Sequence, residues 1–448
     1  MTTSKTYKYL HFIDFSRFFR WDVKAYAFHN KKFEDAVLLK DVLSPYDVQL
    51  TKEELIENGW SIISKINFSG KLFLRKQEDT KLFKGSVHKV DDDTLIYSKI
   101  NVRHGCVYYH PNGAIPFGVS SEYPAYKIDK KRVNGEFLVL LLQSQYFKDA
   151  LSARTSGISK ARVKPSVFLT IEIPLPPLEE QNAIVTAYNN SLALAQQYEQ
   201  KAQDIEENIV CHLKDVLGID IQSKTTQENP YVFLRFFQYK EMISRWDLNN
   251  IRVTYKGNYN FVFLSDLILK MSTGTTPPTR NKSYFSGSID FYTPADIKGN
   301  MYLEDAERHV SKLAIEDKKV RLFNKGDLLF VGIGSTIGKV GLVDKDMASA
   351  NQQITGITFN TNKILPEYAF VYMNYFKENT TAEQSKTTLP IVNQEKIRKI
   401  QIPLPPLDVQ NEIVEHISEL KEKIKSLRAL AADTRMSAIQ QFEQTIFE

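Results

Sequence analysis

Cysteine is scarce in this chain, and so are the features that usually mark metal sites and membrane proteins. Only two cysteines, Cys106 and Cys211, occur among 448 residues, and their contexts show no metal-type spacing. We therefore expect no disulfide framework and a reducing, cytoplasmic setting. The eight histidines show no HxxxH or HExxH spacing, so no metal site is expected. The chain opens without a signal-peptide pattern, and the apolar run at 137–142 is far shorter than the ~18 residues of a membrane helix.

Motifs for catalysis are incomplete. Residues 330–334 (FVGIG) match a loop that holds S-adenosylmethionine in adenine methyltransferases, but no DPPY-like motif to grip a flipped base accompanies it; the nearest string, NPY at 229–231, lacks the second proline. Residues 334–339 (GSTIGK) resemble a phosphate-binding loop. However, Ile333 stands where the first glycine belongs and Val340 where Ser or Thr belongs. We therefore predict a chain that is not itself an enzyme and binds no cofactor.

The most informative feature is a proline-rich segment that occurs twice. Residues 171–185 read IEIPLPPLEEQNAIV and residues 400–414 read IQIPLPPLDVQNEIV, with eleven of fifteen positions identical. The prolines cannot continue a helix. An acid follows them, Glu179 or Asp408, where negative charge favours the start of a helix. The chain is therefore an internal duplication.

A long helical pattern follows each copy of this segment. Apolar or small residues recur at steps of three and four, which is typical of a coiled-coil seam. The first seam consists of Ile184, Tyr188, Leu192, Ala195, Tyr198, Ala202, Ile205, Ile209, Leu213 and Val216. The second consists of Ile413, Ile417, Leu420, Ile424, Leu427, Ala431, Thr434 and Ala438. Each helix would run about 55 Å, the first ending at Gly218, and we expect the two to pair.

Charge is distributed unevenly between the helices and the rest of the chain. Residues 179–217 carry a net charge of −5 and residues 408–448 carry −3. Because the whole chain has a net charge of +5, the remainder carries +13. A basic globular surface is typical of a nucleic-acid binder, although a solvated, lysine-rich surface remains an alternative.

The chain is predicted to contain two similar globular units, each followed by a helix. The string RWD at 20–22 recurs at 245–247, and YFK at 146–148 recurs at 375–377, while the middles of the units differ. Similar ends around dissimilar middles suggest one scaffold that presents two recognition surfaces. The predicted boundaries are 1–178 for the first unit, 179–218 for its helix, 219–229 for a linker, 230–405 for the second unit and 406–448 for its helix. In the first unit we expect strands at 62–66, 71–74, 94–100 and 119–128 and a buried helix at 135–145.

Polar turns and loops with basic residues are the candidate nucleic-acid contacts. The turn NVRHG at 101–105 and the turn GSTIGK at 334–339 align through a shared glycine. The loop GTTPPTRNK at 274–282 and the segments 152–164 and 385–396 add hydrogen-bonding side chains and positive charge. Ordinary hairpin turns, surface loops and solvated faces remain alternatives for each of them. The residues that we predict to bind are Lys99, Arg103, His104, Arg154, Lys160, Arg162, Lys164, Thr275, Thr276, Arg280, Lys282, Ser335, Thr336, Lys339, Lys386, Asn393 and Lys396.

The doubled proline-rich segment with its helix, together with GTTPP at 274–278 and GSTIGKVG at 334–341, resembles the specificity subunit of type I restriction–modification systems. The resemblance covers the whole chain. It implies a mixed α/β fold with two target-recognition domains, at 1–178 and 230–405, joined by two long antiparallel coiled-coil helices in a pseudo-two-fold arrangement. Each domain would read one half of a bipartite site in the DNA major groove, and the helices would set the gap.

The resemblance also implies partners for this chain. These are double-stranded DNA, two modification (methyltransferase) subunits that methylate adenine, and motor-nuclease subunits that cleave unmethylated DNA in phage defence. S-adenosylmethionine, ATP and magnesium would be bound by those partners. Because the middles of the two units differ, the target is expected to be asymmetric. The family has no fixed set of base-contacting residues, so the binding residues above rest on their chemistry alone.

Other functions remain open at this point. The chain could be the DNA-recognition subunit of a related phage-defence system that does not methylate. A self-contained nuclease or methyltransferase is disfavoured by the missing motifs. A scaffold that binds only protein is a further alternative.

Overall fold

The computed structural model describes residue 33 and residues 35–154, 162–219, 257–381 and 390–447. Contacts within the chain define two compact units. Unit 1 contains the described residues up to Gln197 and from Leu430 onward, and unit 2 contains those from Tyr198 to Ala429. The repeated RWD string lies outside the described residues. None of the helices in the described part is long and apolar enough to cross a membrane.

Unit 1 combines short antiparallel strands with helices. Its strands are β1 (Ala36–Leu38), β2 (Leu43–Tyr46), β3 (Gln49–Leu50), β4 (Ile63–Ile66), β5 (Leu72–Leu74), β6 (Val87–Val90), β7 (Thr94–Tyr97), β8 (Val107–His110), β9 (Phe117–Val119), β10 (Ala125–Ile128) and β11 (Glu172–Pro174). Its shorter helices are α1 (Lys52–Glu57), α2 (Gln77–Lys81), α3 (Gly135–Gln143), α4 (Gln145–Arg154) and α5 (Pro165–Phe168), with 3-10 turns at Leu39–Asp41 and Val102–His104. The sheets have the orders β2-β10-β7-β8, β3-β6-β9, β4-β5 and β1-β11.

The strands of unit 2 follow the first long helix, α6 (Leu178–Leu217), in the chain and precede the second, α11 (Leu407–Phe447). Its strands are β12 (Phe261–Phe263), β13 (Ile268–Thr273), β14 (Ile289–Tyr292), β15 (His309–Val310), β16 (Leu322–Phe323), β17 (Leu328–Val331), β18 (Val340–Leu342), β19 (Ala348–Ala350), β20 (Ile354–Phe359) and β21 (Gln401–Pro403). Its shorter helices are α7 (Lys312–Glu316), α8 (Pro366–Tyr375), α9 (Lys377–Thr380) and α10 (Gln394–Arg398), with 3-10 turns at Leu264–Asp266 and Lys282–Phe285. The sheets have the orders β13-β20-β17-β18, β15-β14-β19-β16 and β12-β21.

The duplication is visible in the strand order of the central sheets. The order β2-β10-β7-β8 in unit 1 corresponds to β13-β20-β17-β18 in unit 2, and β1-β11 corresponds to β12-β21. The remaining sheets differ, because β3-β6-β9 is antiparallel throughout whereas β14 and β19 pair in parallel. The expectation of similar ends around different middles is confirmed.

A buried glutamine fixes the proline-rich segment at the start of each long helix. Gln181 is completely buried. Its Oε1 accepts a hydrogen bond from the Asn134 backbone N–H (2.9 Å), and its Nε2 donates to the carbonyls of Arg132 (2.9 Å) and Pro176 (2.8 Å). Gln410, the equivalent residue, repeats all three bonds with the neighbouring backbone. In each unit one buried side chain thus provides the hydrogen-bond partner of three backbone polar groups.

The two long helices run antiparallel within unit 2. Glu206 of α6 accepts a hydrogen bond from Arg428 of α11 (2.6 Å), and the rings of His212 and His416 lie 4.5 Å apart between centroids. Residue numbers thus rise on one helix as they fall on the other. The helices contain 40 and 41 residues, which corresponds to roughly 60 Å each. All of the predicted seam residues are buried or half-buried, so the predicted seam is confirmed.

Several local expectations are corrected by the structure. The helix expected at 135–145 breaks at Ser144, whose backbone is extended, and continues as α4. The strand expected at 94–100 ends at Tyr97, because the chain enters the 3-10 turn at 102–104. The segment 119–128, expected to form one strand, contains the last residue of β9, then a turn, then the whole of β10. Gly218 does follow the end of α6 with a left-handed φ of 64°, as a helix C-terminus favours.

Candidate nucleic-acid interface

A glycine-rich turn connects β17 to β18 in unit 2. It is closed by hydrogen bonds from the Gly338 N–H to the Val331 carbonyl (2.9 Å) and from the Lys339 N–H to the Thr336 carbonyl (3.2 Å). Gly338 has a φ of 81°, which strongly favours glycine. Because the turn joins two antiparallel strands, it does not have the strand–loop–helix arrangement of a nucleotide phosphate-binding loop.

Unit 1 has the equivalent turn between β7 and β8. Gly105 adopts a φ of 83°, and a Cβ atom built on it would lie 3.0 Å from the Cε of Lys148. A Cβ built on Gly338 would lie at the same distance from the Cε of Lys377. Each turn therefore lies against a lysine stem, supplied by the repeated YFK string. These two lysines were not among the predicted binding residues, although the repeat was the signal that could have found them.

Backbone hydrogen bonds hold the segment before each proline-rich strand beside the turn. The Val163 N–H donates to the Lys99 carbonyl, and the Val392 N–H donates to the Gly332 carbonyl, both at 2.8 Å. In unit 2 the loop at 274–282 joins them. The Gly274 N–H donates to the Ile354 carbonyl. Three stretches that are distant in sequence therefore meet in unit 2.

A pocket of about 300 Å³ lies where these three stretches meet. Its lining is rich in amides and hydroxyls, and it includes Thr273, Gln352, Gln353, Thr355, Asn393 and Gln394. The close approach needs a glycine, because a Cβ on Gly274 would lie 2.3 Å from the Ala350 carbonyl oxygen. Sequence reasoning missed the three glutamines. Gln394 lies within the candidate segment 385–396, and the signal for the other two was the string NQQ at 351–353, which has no periodicity.

Among the predicted binding residues of unit 2 that the structure describes, Asn393 alone lines this pocket. Thr276 donates its hydroxyl hydrogen to Gln352 Oε1, and Thr275 donates to the Lys319 carbonyl (3.2 Å). Asn393 caps α10 by accepting from the Lys396 N–H. The others are exposed or half-exposed. Arg280 and Lys282 lie on the 274–282 loop, Ser335, Thr336 and Lys339 lie on the glycine-rich turn, and Lys396 lies on α10.

Unit 1 presents mainly positive charge at the equivalent place. Arg103 is half-buried, and its Nε is buried without a hydrogen-bond partner among the described residues. A phosphate oxygen would satisfy such a donor. His104 lies against the ring of Phe68 (5.1 Å between centroids), and Arg162 pairs with Glu122 (3.1 Å).

Five other predicted residues remain, four from unit 1 and Lys386 from the counterpart segment of unit 2. Lys99 is half-buried and Lys164 is exposed at the start of α5. Lys160 and Lys386 lie outside the described residues, as does the side chain of Arg154. Binding by all of the predicted residues stays a prediction.

Comparison with known proteins decides the family. The family model described as "Type I restriction modification DNA specificity domain" matches residues 49–207 and 256–432. The chain belongs to this family. The two matches fall on the two copies of the duplication, and the family suggested by the sequence motifs is confirmed.

Curated relatives agree with this assignment. The type I restriction enzyme MjaIX specificity subunit of Methanocaldococcus jannaschii is 23% identical over 301 residues, which span 66% of this chain and 65% of that protein. The EcoKI specificity subunit of Escherichia coli K12 is 23% identical over 65% of this chain and 59% of that protein. These alignments therefore cover less than two thirds of the relatives' own lengths.

Similarity of fold extends over nearly the whole chain. A chain from a structural study of complex assembly and conformational transition in a type I R-M system has a TM-score of 0.59 at 17% identity, covering 92% of this chain and 96% of that one. The HsdS subunit of Thermoanaerobacter tengcongensis has a TM-score of 0.50 at 15% identity, covering 93% and 98%. The predicted fold class, two similar mixed α/β domains with two long antiparallel helices, is confirmed.

Proposed function

We propose that this chain is the sequence-specificity subunit of a type I restriction–modification complex and reads a bipartite, asymmetric site in duplex DNA. The observation that carries the proposal is the repeated combination of glycine turn, lysine and adjoining segment in two units whose other sheets differ. A shared scaffold with different recognition surfaces suits two different half-sites. Membership of the DNA specificity domain family supports the same conclusion.

The physical basis of recognition follows from the residues around the turns. Lysine and arginine side chains supply affinity through phosphate contacts, and with it a strong dependence on salt. Amide and hydroxyl groups at base edges supply sequence specificity. Rigid paired helices restrict binding to half-sites at one separation, as a symmetric dimer does.

The chemistry is proposed to reside in partner subunits. Two methyltransferase subunits would bring S-adenosylmethionine and methylate adenine, and motor-nuclease subunits would bring ATP and magnesium and cleave unmodified DNA. A docking surface for a partner is supported by exposed apolar side chains on α11. Met436 is 55% exposed and Ile439 is 48% exposed. Residues three apart on a helix are neighbours on its surface.

Co-purification tests this partnership. The double variant Met436→Glu/Ile439→Glu should lose capture of the methyltransferase subunit, because it places two charges in an apolar contact. Its thermal unfolding should be unchanged, since both side chains are about half exposed. Ser437→Glu/Gln440→Glu is the matched control, with equal charge and spacing at exposed positions of the same helix. Equal capture by both double variants would contradict docking at this surface.

A further inference from the structure

The amide-lined pocket of unit 2 has a chemical pattern that selects among base pairs. Resting on the proposed function, we infer that this pocket reads an A·T base pair through the DNA major groove. Four side chains determine the pattern, and they are Gln352, Gln353, Gln394 and Ile391.

Gln353 presents hydrogen-bond donors to the pocket. The backbone N–H of Gln353 donates to Asn351 Oδ1 (3.0 Å), which fixes that oxygen as an acceptor. The Asn351 Nδ2 therefore faces Gln353 Oε1 and donates to it at 3.1 Å. With one lone pair of its oxygen so engaged, Gln353 keeps its Nε2 hydrogens available to donate to a ligand. A purine N7 is an acceptor of the matching kind.

Gln394 presents the opposite character. Its Nε2 donates to Thr273 Oγ1 at 2.9 Å, which leaves the amide oxygen as the group available to a ligand. Adenine N6 is a donor that such an oxygen accepts. Donor and acceptor amides in one pocket therefore match the adjacent N7 and N6 groups of adenine.

The remaining two residues match the thymine of the same pair. Gln352 receives the Thr276 hydroxyl hydrogen on its Oε1, so its amide hydrogens remain to donate to thymine O4. Ile391 lies in the pocket wall and is 38% exposed, which provides an apolar surface for the thymine C5-methyl group.

A G·C pair fits this set less well. Guanine offers two acceptors and cytosine one donor, and neither carries a methyl group in the groove. The Gln394 oxygen could also accept from cytosine N4, so the preference for A·T rests on Ile391, which would face no methyl group in a G·C pair.

Binding selection with randomised duplexes tests the inference on the full-length chain co-purified with its methyltransferase subunits. Gln353→Glu replaces the amide donors with an acceptor, while the Asn351 amide can still donate to the new carboxylate. We expect one base pair of one half-site, A·T in the wild-type consensus, to lose its preference. Affinity for the wild-type consensus should fall about 10- to 100-fold, and the other positions should be retained.

A control and a second variant make each outcome decisive. Asn362→Asp makes the same amide-to-acid change at an exposed loop position of unit 2 away from the pocket, and it should leave the consensus intact. If Gln353→Glu fails to fold, Gln352→Ala, at an exposed side chain, should relax an A·T position of the consensus. An unchanged consensus, or a change at a G·C position, would overturn the inference. A wild-type protein that selects no bipartite consensus would overturn the proposed function as well.

Discussion

At the scale of single residues, the two buried glutamines explain why the proline-rich segment is repeated so closely. Each amide holds two carbonyls and one N–H around the point where a long helix begins. An amide is the only side chain of this size with a donor pair and an acceptor. Gln181 and Gln410 therefore fix how a helix leaves its unit.

Replacing Gln410 with leucine tests this role. The change keeps the volume but removes the partner of the Leu365 N–H and of the carbonyls of Lys363 and Pro405, in two part-buried hydrogen bonds and one buried one. We expect the free energy of unfolding of unit 2 to fall by about 3 kcal/mol, measured by denaturant titration. Asn411→Ala is the neighbouring control, because among the described residues the Asn411 side chain bonds only Glu415, at the exposed surface. Equal small losses in both variants would contradict the role.

Residue roles were the least predictable part of the molecule. The glutamines of the repeated segment are conspicuous in the sequence, yet nothing there shows which backbone groups they meet. Asn393 was predicted to bind nucleic acid because of its polarity, and its side chain caps α10. The pocket glutamines come from segments more than 40 residues apart, so only the folded chain brings them together.

At the scale of elements, the paired helices combine an apolar seam with polar contacts at its edges. In unit 2, burial alone would raise the pKa of Glu206, but hydrogen bonds from Arg428 and the charge of Lys421 outweigh it and lower the pKa. The pKa of His212 is lowered by burial and by the nearby His416, against the opposing effect of Asp215. Because both pKa values are lowered in the folded state, the pairing of the two helices should be more stable at neutral pH than at acidic pH.

The sign of the histidine effect gives a prediction. Because the folded state disfavours protonated His212, the unfolded chain binds the proton more readily, and stability falls as pH drops below about 6.5. His212→Gln removes this group, so the Tm difference between pH 7.5 and pH 5.5 should shrink. Differential scanning calorimetry at both pH values checks this. A variant with the wild-type difference would show that His212 contributes nothing to it.

Elements with strong periodicity were predictable, and short strands were less so. The seams of α6 and α11 follow from three- and four-residue spacing, and the structure buries the predicted face. The helix at 135–145 was predicted as one piece because its composition is continuous, whereas Ser144 breaks it. The middle sheets of the two units could not be predicted, since strands of two to four residues carry too little pattern.

At the scale of the whole molecule, one scaffold is used twice with different middles. The central sheets and proline-rich strands repeat, while β3-β6-β9 and β15-β14-β19-β16 do not. The duplication itself was readable from eleven identical positions in fifteen. The difference between the middles is what leads to the expectation of an asymmetric target.

Lengthening both helices tests whether they set the gap between half-sites. Insertion of three heptads into each helix, after Gln197 and after Ala429 at the unit boundaries, keeps the seam in register. It adds about 32 Å, close to one turn of DNA. The preferred gap should lengthen by about nine base pairs, as read by binding to duplexes of varied spacing. A variant that folds and keeps the original gap would contradict the proposed role.

The central claim is tested most directly by mapping N6-methyladenine across the genome of the host, with and without this gene. The account predicts that deletion abolishes methylation at one bipartite, asymmetric motif with a fixed gap, and that restoring the gene restores it. Restoring the gene with the destabilising Gln410→Leu change should recover less methylation than restoring it with the Asn411→Ala control. If deletion leaves the methylation of every motif unchanged in a host that expresses the methyltransferase subunit, this function is contradicted.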